Sequence, residues 1–121
     1  MILVDTSVWA DHLRFGVPRF QALLDGGEVL CHPFIIGEVA LGFLKRRDKI
    51  LGSMQSLPRV VLAGNAEALD FINRNALFGS GIGYVDVHLL VSTRLTPGAM
   101  LWAKDKKLAA AAHKFGVGAT V

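Results

Sequence analysis

The chain has 121 residues, of which 52% are hydrophobic and 19% charged, with a formal net charge of +3. That length and apolar content fit one domain with a real core and exclude a disordered chain. No apolar run of about 18 residues is free of charged or polar breaks, which argues against a spanning helix. The MILVD start lacks the basic stretch and the length of a signal peptide. The lone Cys31 has no partner for an internal disulfide and reads as buried filler. Together these features predict a single domain over residues 1–121, placed in the cytoplasm with no membrane contact.

In chain order, Ile2 to Val4 read as a short buried strand that ends at Asp5. Thr6 or Ser7 can cap a helix through SVWADHLR. Pro18 opens a second helix through FQALLD, which Gly26 and Gly27 stop. Glu28 to Cys31 form the second expected strand, and Pro33 starts a long helix running to about Arg47. A further helix is expected over Lys49 to Ser56, then a third strand over Arg59 to Leu62 after Pro58. Gly64 or Asn65 caps a helix through AEALDFINRNAL, whose Leu69, Ile72 and Leu77 recur at near-helical spacing. The loop Gly79-Ser80-Gly81-Ile82-Gly83 leads into a helix from about Tyr84 to Arg94. Ala99 to Ala103 form the fourth strand, Lys107 to Phe115 a last helix, and Val117 to Val121 a short final strand. Strands alternating with helices indicate an α/β class, an α/β/α sandwich with a mainly parallel sheet.

Four acids stand apart on this frame. Asp5 is the only charge in MILVDTSVWA. Glu38 is the only one between Glu28 and Lys45, and Asp86 the only one between Arg74 and Arg94. Asp105 closes the apolar run TPGAMLWA, one residue after Lys104. Carboxylates are rarely buried without a partner. In parallel α/β sheets ligands collect beyond the carboxyl ends of the strands, and all four acids fall within reach of that edge. Converging carboxylates repel unless protons or metal ions intervene, and Mg²⁺ or Mn²⁺ is the natural hard partner. The four histidines are scattered and make no zinc pattern. Thirteen Lys and Arg stand against ten Asp and Glu, so gathering four acids in one pocket leaves a basic surface around it. An acidic pocket on a basic surface suits a polyanion that must approach metal ions.

The segments LVDTSVW, GEVALGFL, GIGYVDVHLL and LWAKDKKLAAAAHKFGV resemble, in order and spacing, the PIN-domain ribonucleases, in particular the VapC toxins of bacterial toxin–antitoxin pairs. The resemblance spans essentially the whole chain. It implies a PIN-like α/β/α sandwich and a Mg²⁺- or Mn²⁺-dependent endoribonuclease site built from acids. By position, Asp5, Glu38, Asp86 and Asp105 are those metal-holding acids, and Ser7 of D-T-S is the small polar residue lining the site. It further implies an RNA substrate, a VapB-type antitoxin whose tail covers the site, and a homodimer. One departure is Ala103, where the family often has Thr or Ser two residues before the last acid. Its missing hydroxyl points to Asp105 acting through water rather than on the metal directly. It also motivates the alternative of a catalytically silent PIN-like module that binds RNA or protein.

Each site residue has a structural rival. Asp5 and Ser7 can cap the first helix, Glu38 can pair with a core cation, Asp86 can complement a helix dipole, and Asp105 can join an exposed ion pair. Lys45-Arg46-Arg47 with Lys49 reads as a solvated helix end, with RNA-backbone contact as its alternative. The glycine-rich loop lacks the strand–loop–helix setting of a phosphate cradle and reads as a turn that brings Asp86 to the pocket. Trp9, Trp102 and Tyr84 read as core or interface residues. His88 follows Asp86 by two helical positions and is left out of the site.

Overall fold

A computed structural model describes all of residues 1–121. Its centre is a three-stranded sheet, β1 (Ile2–Val4), β2 (Val29–Leu30) and β3 (Met100–Trp102), in the order β2-β1-β3. Both pairings are parallel: Ile2 stands opposite Val29 on one side and Met100 on the other. Leu3 and Val4 of the central strand are fully buried, as a parallel strand covered on both faces requires. The Asp5 N–H donates to the Trp102 carbonyl at 2.9 Å, so the β1–β3 ladder runs one residue past Val4 and ties Asp5 to the end of β3.

Seven helices complete the α/β fold: α1 (Thr6–Phe15), α2 (Pro18–Asp25), α3 (Pro33–Ala40), α4 (Arg47–Gln55), α5 (Asn65–Arg74), α6 (Tyr84–Leu95) and α7 (Lys106–Lys114). None is long and apolar enough to cross a membrane. Proline opens α2 and α3, where its missing N–H costs nothing. Phe20, Ile35, Met54, the adjacent pair Leu89 and Leu90, and Leu108 bring five different helices into one core around the sheet. Trp9, expected inside, is buried and meets the Phe20 ring edge-on at 4.6 Å.

The structure departs from expectation at four places. The helix from Pro33 ends at Ala40 instead of running to Arg47. Gly42, among the poorest helix formers, follows the last turn, and Arg46 adopts a left-handed conformation (φ 56°) before α4 begins at Arg47. The third expected strand shrinks to one bridge between Cys31 and Arg59. Pro58 lacks an N–H there, and the hydroxyls of Thr96 and Ser92 on the α6 side take the N–H groups of Val61 and Ala63. The fifth expected strand is likewise one bridge, Leu101 with Gly118. Helix α5 stops at Arg74, short of Leu77, because Ala76 is left-handed (φ 50°) and the Leu77 N–H turns back to the Ile72 carbonyl. That is the 6→1 bond of a Schellman end, with alanine where glycine is usual.

Candidate metal and active site

Asp5 follows the central strand and precedes α1. Its carboxylate does not cap that helix. It accepts instead from the Ser7 hydroxyl at 3.0 Å and is only 7% exposed. A buried carboxylate not used for capping is available to the crevice beyond the sheet. Glu38 sits on the last turn of α3 and pairs with no core cation. Its Oε1 accepts from the Thr6 hydroxyl at 2.6 Å, thirty-two residues away in sequence. The two residues after Asp5 therefore hold two different acids.

Asp86 lies in the first turn of α6, after the glycine loop, and is half-buried. Its carboxyl is pushed up to about 6, first by burial and then by the negative charges of Asp5, Asp105 and Glu38. The four acids singled out in the sequence thus act on one another, and the fold brings them to one region. Asp105 is exposed and caps α7, accepting from the Leu108 N–H at 2.8 Å. It forms no ion pair. The neighbouring Lys104 turns instead to Asp11.

As the side chains stand, no three His, Cys, Asp or Glu groups are closed tightly enough to grip a metal ion. Asp5 is held by Ser7, Glu38 by Thr6 and Asp105 by its own helix. The donor chemistry nonetheless fits a hard divalent cation. Four carboxylates act on one another, and Asp86 resists ionisation first because it is buried and then because of the other three acids. His88 makes no hydrogen bond to any of the four acids. With the Tyr84 hydroxyl it bonds Asn65 Oδ1. From the sequence alone Thr6 is only a candidate helix cap, and its bond to Glu38 adds it to the site. The D-T-S motif carried the signal, since a hydroxyl next to a site acid is positioned to bond a second one.

No family model matches the chain, and no solved structure matches it. Two curated relatives match it across nearly its whole length. They are Ribonuclease VapC32 of Mycobacterium tuberculosis strain CDC 1551 / Oshkosh and of strain ATCC 25618 / H37Rv. Each is 45% identical over 117 residues, covering 97% of this chain and 94% of the relative. With that identity, and with the D-T-S acid and its three companions drawn together by the fold, the chain belongs to the VapC ribonucleases, toxins of the PIN-domain family.

Proposed function

We propose that the protein is a Mg²⁺- or Mn²⁺-dependent endoribonuclease, the toxin of a toxin–antitoxin pair, working in the cytoplasm. The observation that carries the chemistry is the carboxyl of Asp86, raised to about 6 first by burial and then by the neighbouring acids Asp5, Asp105 and Glu38. A divalent ion bound there would supply positive charge against the scissile phosphate and a water activated at neutral pH. Asp5, Glu38 and Asp86 would hold it. Asp105, shared with the start of α7, would reach it through water or hold a second ion.

The chain's own residues prepare the rest. Ser7 fixes one oxygen of Asp5, and Thr6 fixes one oxygen of Glu38, so each carboxylate keeps its other oxygen free. Asp86 stores a proton below about pH 6 and gives it up when a cation takes its place. Family membership supports an RNA substrate and a VapB-type antitoxin. A basic antitoxin side chain would complement the acid cluster. The homodimer is carried over from the family alone.

Asp5→Asn tests the reading. It should lower RNA cleavage by roughly 10²–10³-fold and weaken Mn²⁺ uptake measured by calorimetry, with the melting temperature retained. A purified Asp5→Asn chain that cuts RNA at the wild-type rate would refute it. A wild-type chain that takes up no Mn²⁺ would favour the catalytically silent module.

A further inference from the structure

Beside the acid cluster runs a groove of ≈ 850 Å³. Thr6 and Glu38 form its wall on the site side. Phe43, Lys45, Arg46 and Arg14 line it as well, and Glu38 is its sole acid. The break in the α3–α4 region builds this wall. A helix continued to Arg47 would splay residues 43 to 46 around its axis at about 100° each. The turn between α3 and α4 sets them along one groove instead.

Two features of that turn are costly for folding alone. Phe43 is 110% exposed, although burying a phenylalanine stabilises a fold. Arg46 holds a left-handed backbone (φ 56°), a strained conformation for a non-glycine residue. Arg46 lines both the groove and the smaller apolar cavity between α1 and α4. Strain and an uncovered ring at one turn, next to a site acid, call for a ligand.

We propose that this groove is the track for single-stranded RNA leading away from the acid cluster, with a base stacked on Phe43 and the backbone phosphates held by Arg14, Lys45 and Arg46. The proposal rests on the ribonuclease reading and adds to it a place for the nucleotides that flank the cut. Single strands are held in this way elsewhere: cations follow the backbone, and an aromatic face takes a base of any sequence. Continuity with Glu38 favours RNA over an acidic peptide, because a phosphodiester at the acids must send its neighbouring nucleotides along an adjoining cationic surface.

The test uses a short, fluorescein-labelled single-stranded RNA of random sequence. Binding is read by fluorescence anisotropy in an Asp5→Asn background, and cleavage in the wild-type background. Phe43→Ala should weaken binding roughly 5- to 100-fold. Phe43→Trp should retain it, and Phe43→Leu, apolar but without a ring face, should behave like Phe43→Ala. Replacing Arg14, Lys45 and Arg46 together with Gln should flatten the slope of log K against log salt by roughly two. Calorimetric Mn²⁺ affinity should be unchanged in all of them. Wild-type RNA affinity in Phe43→Leu overturns the stacking role. Variants that lose only an acidic, apolar partner peptide and keep RNA affinity overturn the track. Either result leaves the ribonuclease reading standing. A wild-type chain that neither binds nor cuts RNA overturns both.

Discussion

Asp5 and Glu38 are held differently from Asp86 and Asp105. The first two accept hydroxyl hydrogen bonds from Ser7 and Thr6, adjacent residues at the start of α1. Three consecutive residues therefore supply one acid and orient two. The second two stand at the starts of helices and have no hydroxyl partner. Asp105 is fixed by the Leu108 N–H of its own helix, and Asp86 by its place in α6 and the loop before it. The electrostatic cost falls on Asp86, displaced to about 6 by burial and three like charges. A site can thus be rigid on one side and electrostatically strained on the other. The rigid side orients the ligand, and the strained side supplies the drive to bind a cation.

The strained side is tested most sharply at Asp86. Asp86→Asn should lower RNA cleavage by roughly 10²–10³-fold while making the metal-free chain more stable at pH 7. In the wild type the folded chain takes up a proton near pH 6, whereas an unfolded aspartate waits until about pH 4. Stability from this group therefore rises as pH falls from above 6 toward 4, and is lost as pH rises through 6. Asn removes that loss. The gain at pH 7 should be about 1–2 kcal/mol, less than the full shift implies because solvent reaches the carboxyl. Urea unfolding of both chains at pH 5 and pH 7 without divalent ions checks it. An Asn variant less stable than wild type at pH 7 would show that Asp86 is not strained.

The rigid side is tested at Thr6. Thr6→Val keeps the shape and removes the donor to Glu38. Partners of metal ligands typically matter by 10–100-fold, and a loss of about that size in Mn²⁺ affinity is expected, with Thr6→Ser near wild type. Equal affinity in Thr6→Val and wild type would leave the hydroxyl without a role in orienting the acid. A smaller effect follows from pH alone. Below about 6 a proton competes with metal at Asp86, so Mn²⁺ affinity should fall by up to about tenfold per pH unit. Calorimetry between pH 5 and pH 7 should show that slope in wild type and a weaker one in Asp86→Asn.

Much of this was legible in the sequence, for a physical reason. An isolated acid in an apolar segment is costly unless it shares a partner, so Asp5, Glu38 and Asp86 stood out before any geometry was known. The strand–helix order then puts them at one edge, and the parallel sheet ties Asp5 to the end of β3 through Trp102. The break after Ala40 was not legible, because the apolar residues 41 to 44 look like a helix continuing inward, whereas Leu41 and Phe43 stand in solvent. The strand after Pro58 was lost for another reason. Its N–H groups went to hydroxyls on α6, a long-range competition that local β-propensity does not encode. The Thr6–Glu38 bond needed the fold, since thirty-two residues separate its ends.

The smallest expected effect bears most directly on why the two sides differ. Ala103 precedes Asp105 by two residues, the mirror of Ser7, which follows Asp5 by two. If a missing hydroxyl is what leaves Asp105 to its helix, Ala103→Thr should return a donor to that side and tighten Mn²⁺ binding a few-fold, about one hydrogen bond's worth. Cleavage should rise in step, while Thr6→Val in the same chain should still cost its full factor, because the two hydroxyls serve different acids. If Ala103→Thr changes neither affinity nor rate, the Leu108 N–H alone fixes Asp105, and the asymmetry comes from helix capping. Leu108→Pro would remove that N–H but also disturb the first turn of α7, so the hydroxyl gain at residue 103 is the cleaner discriminator.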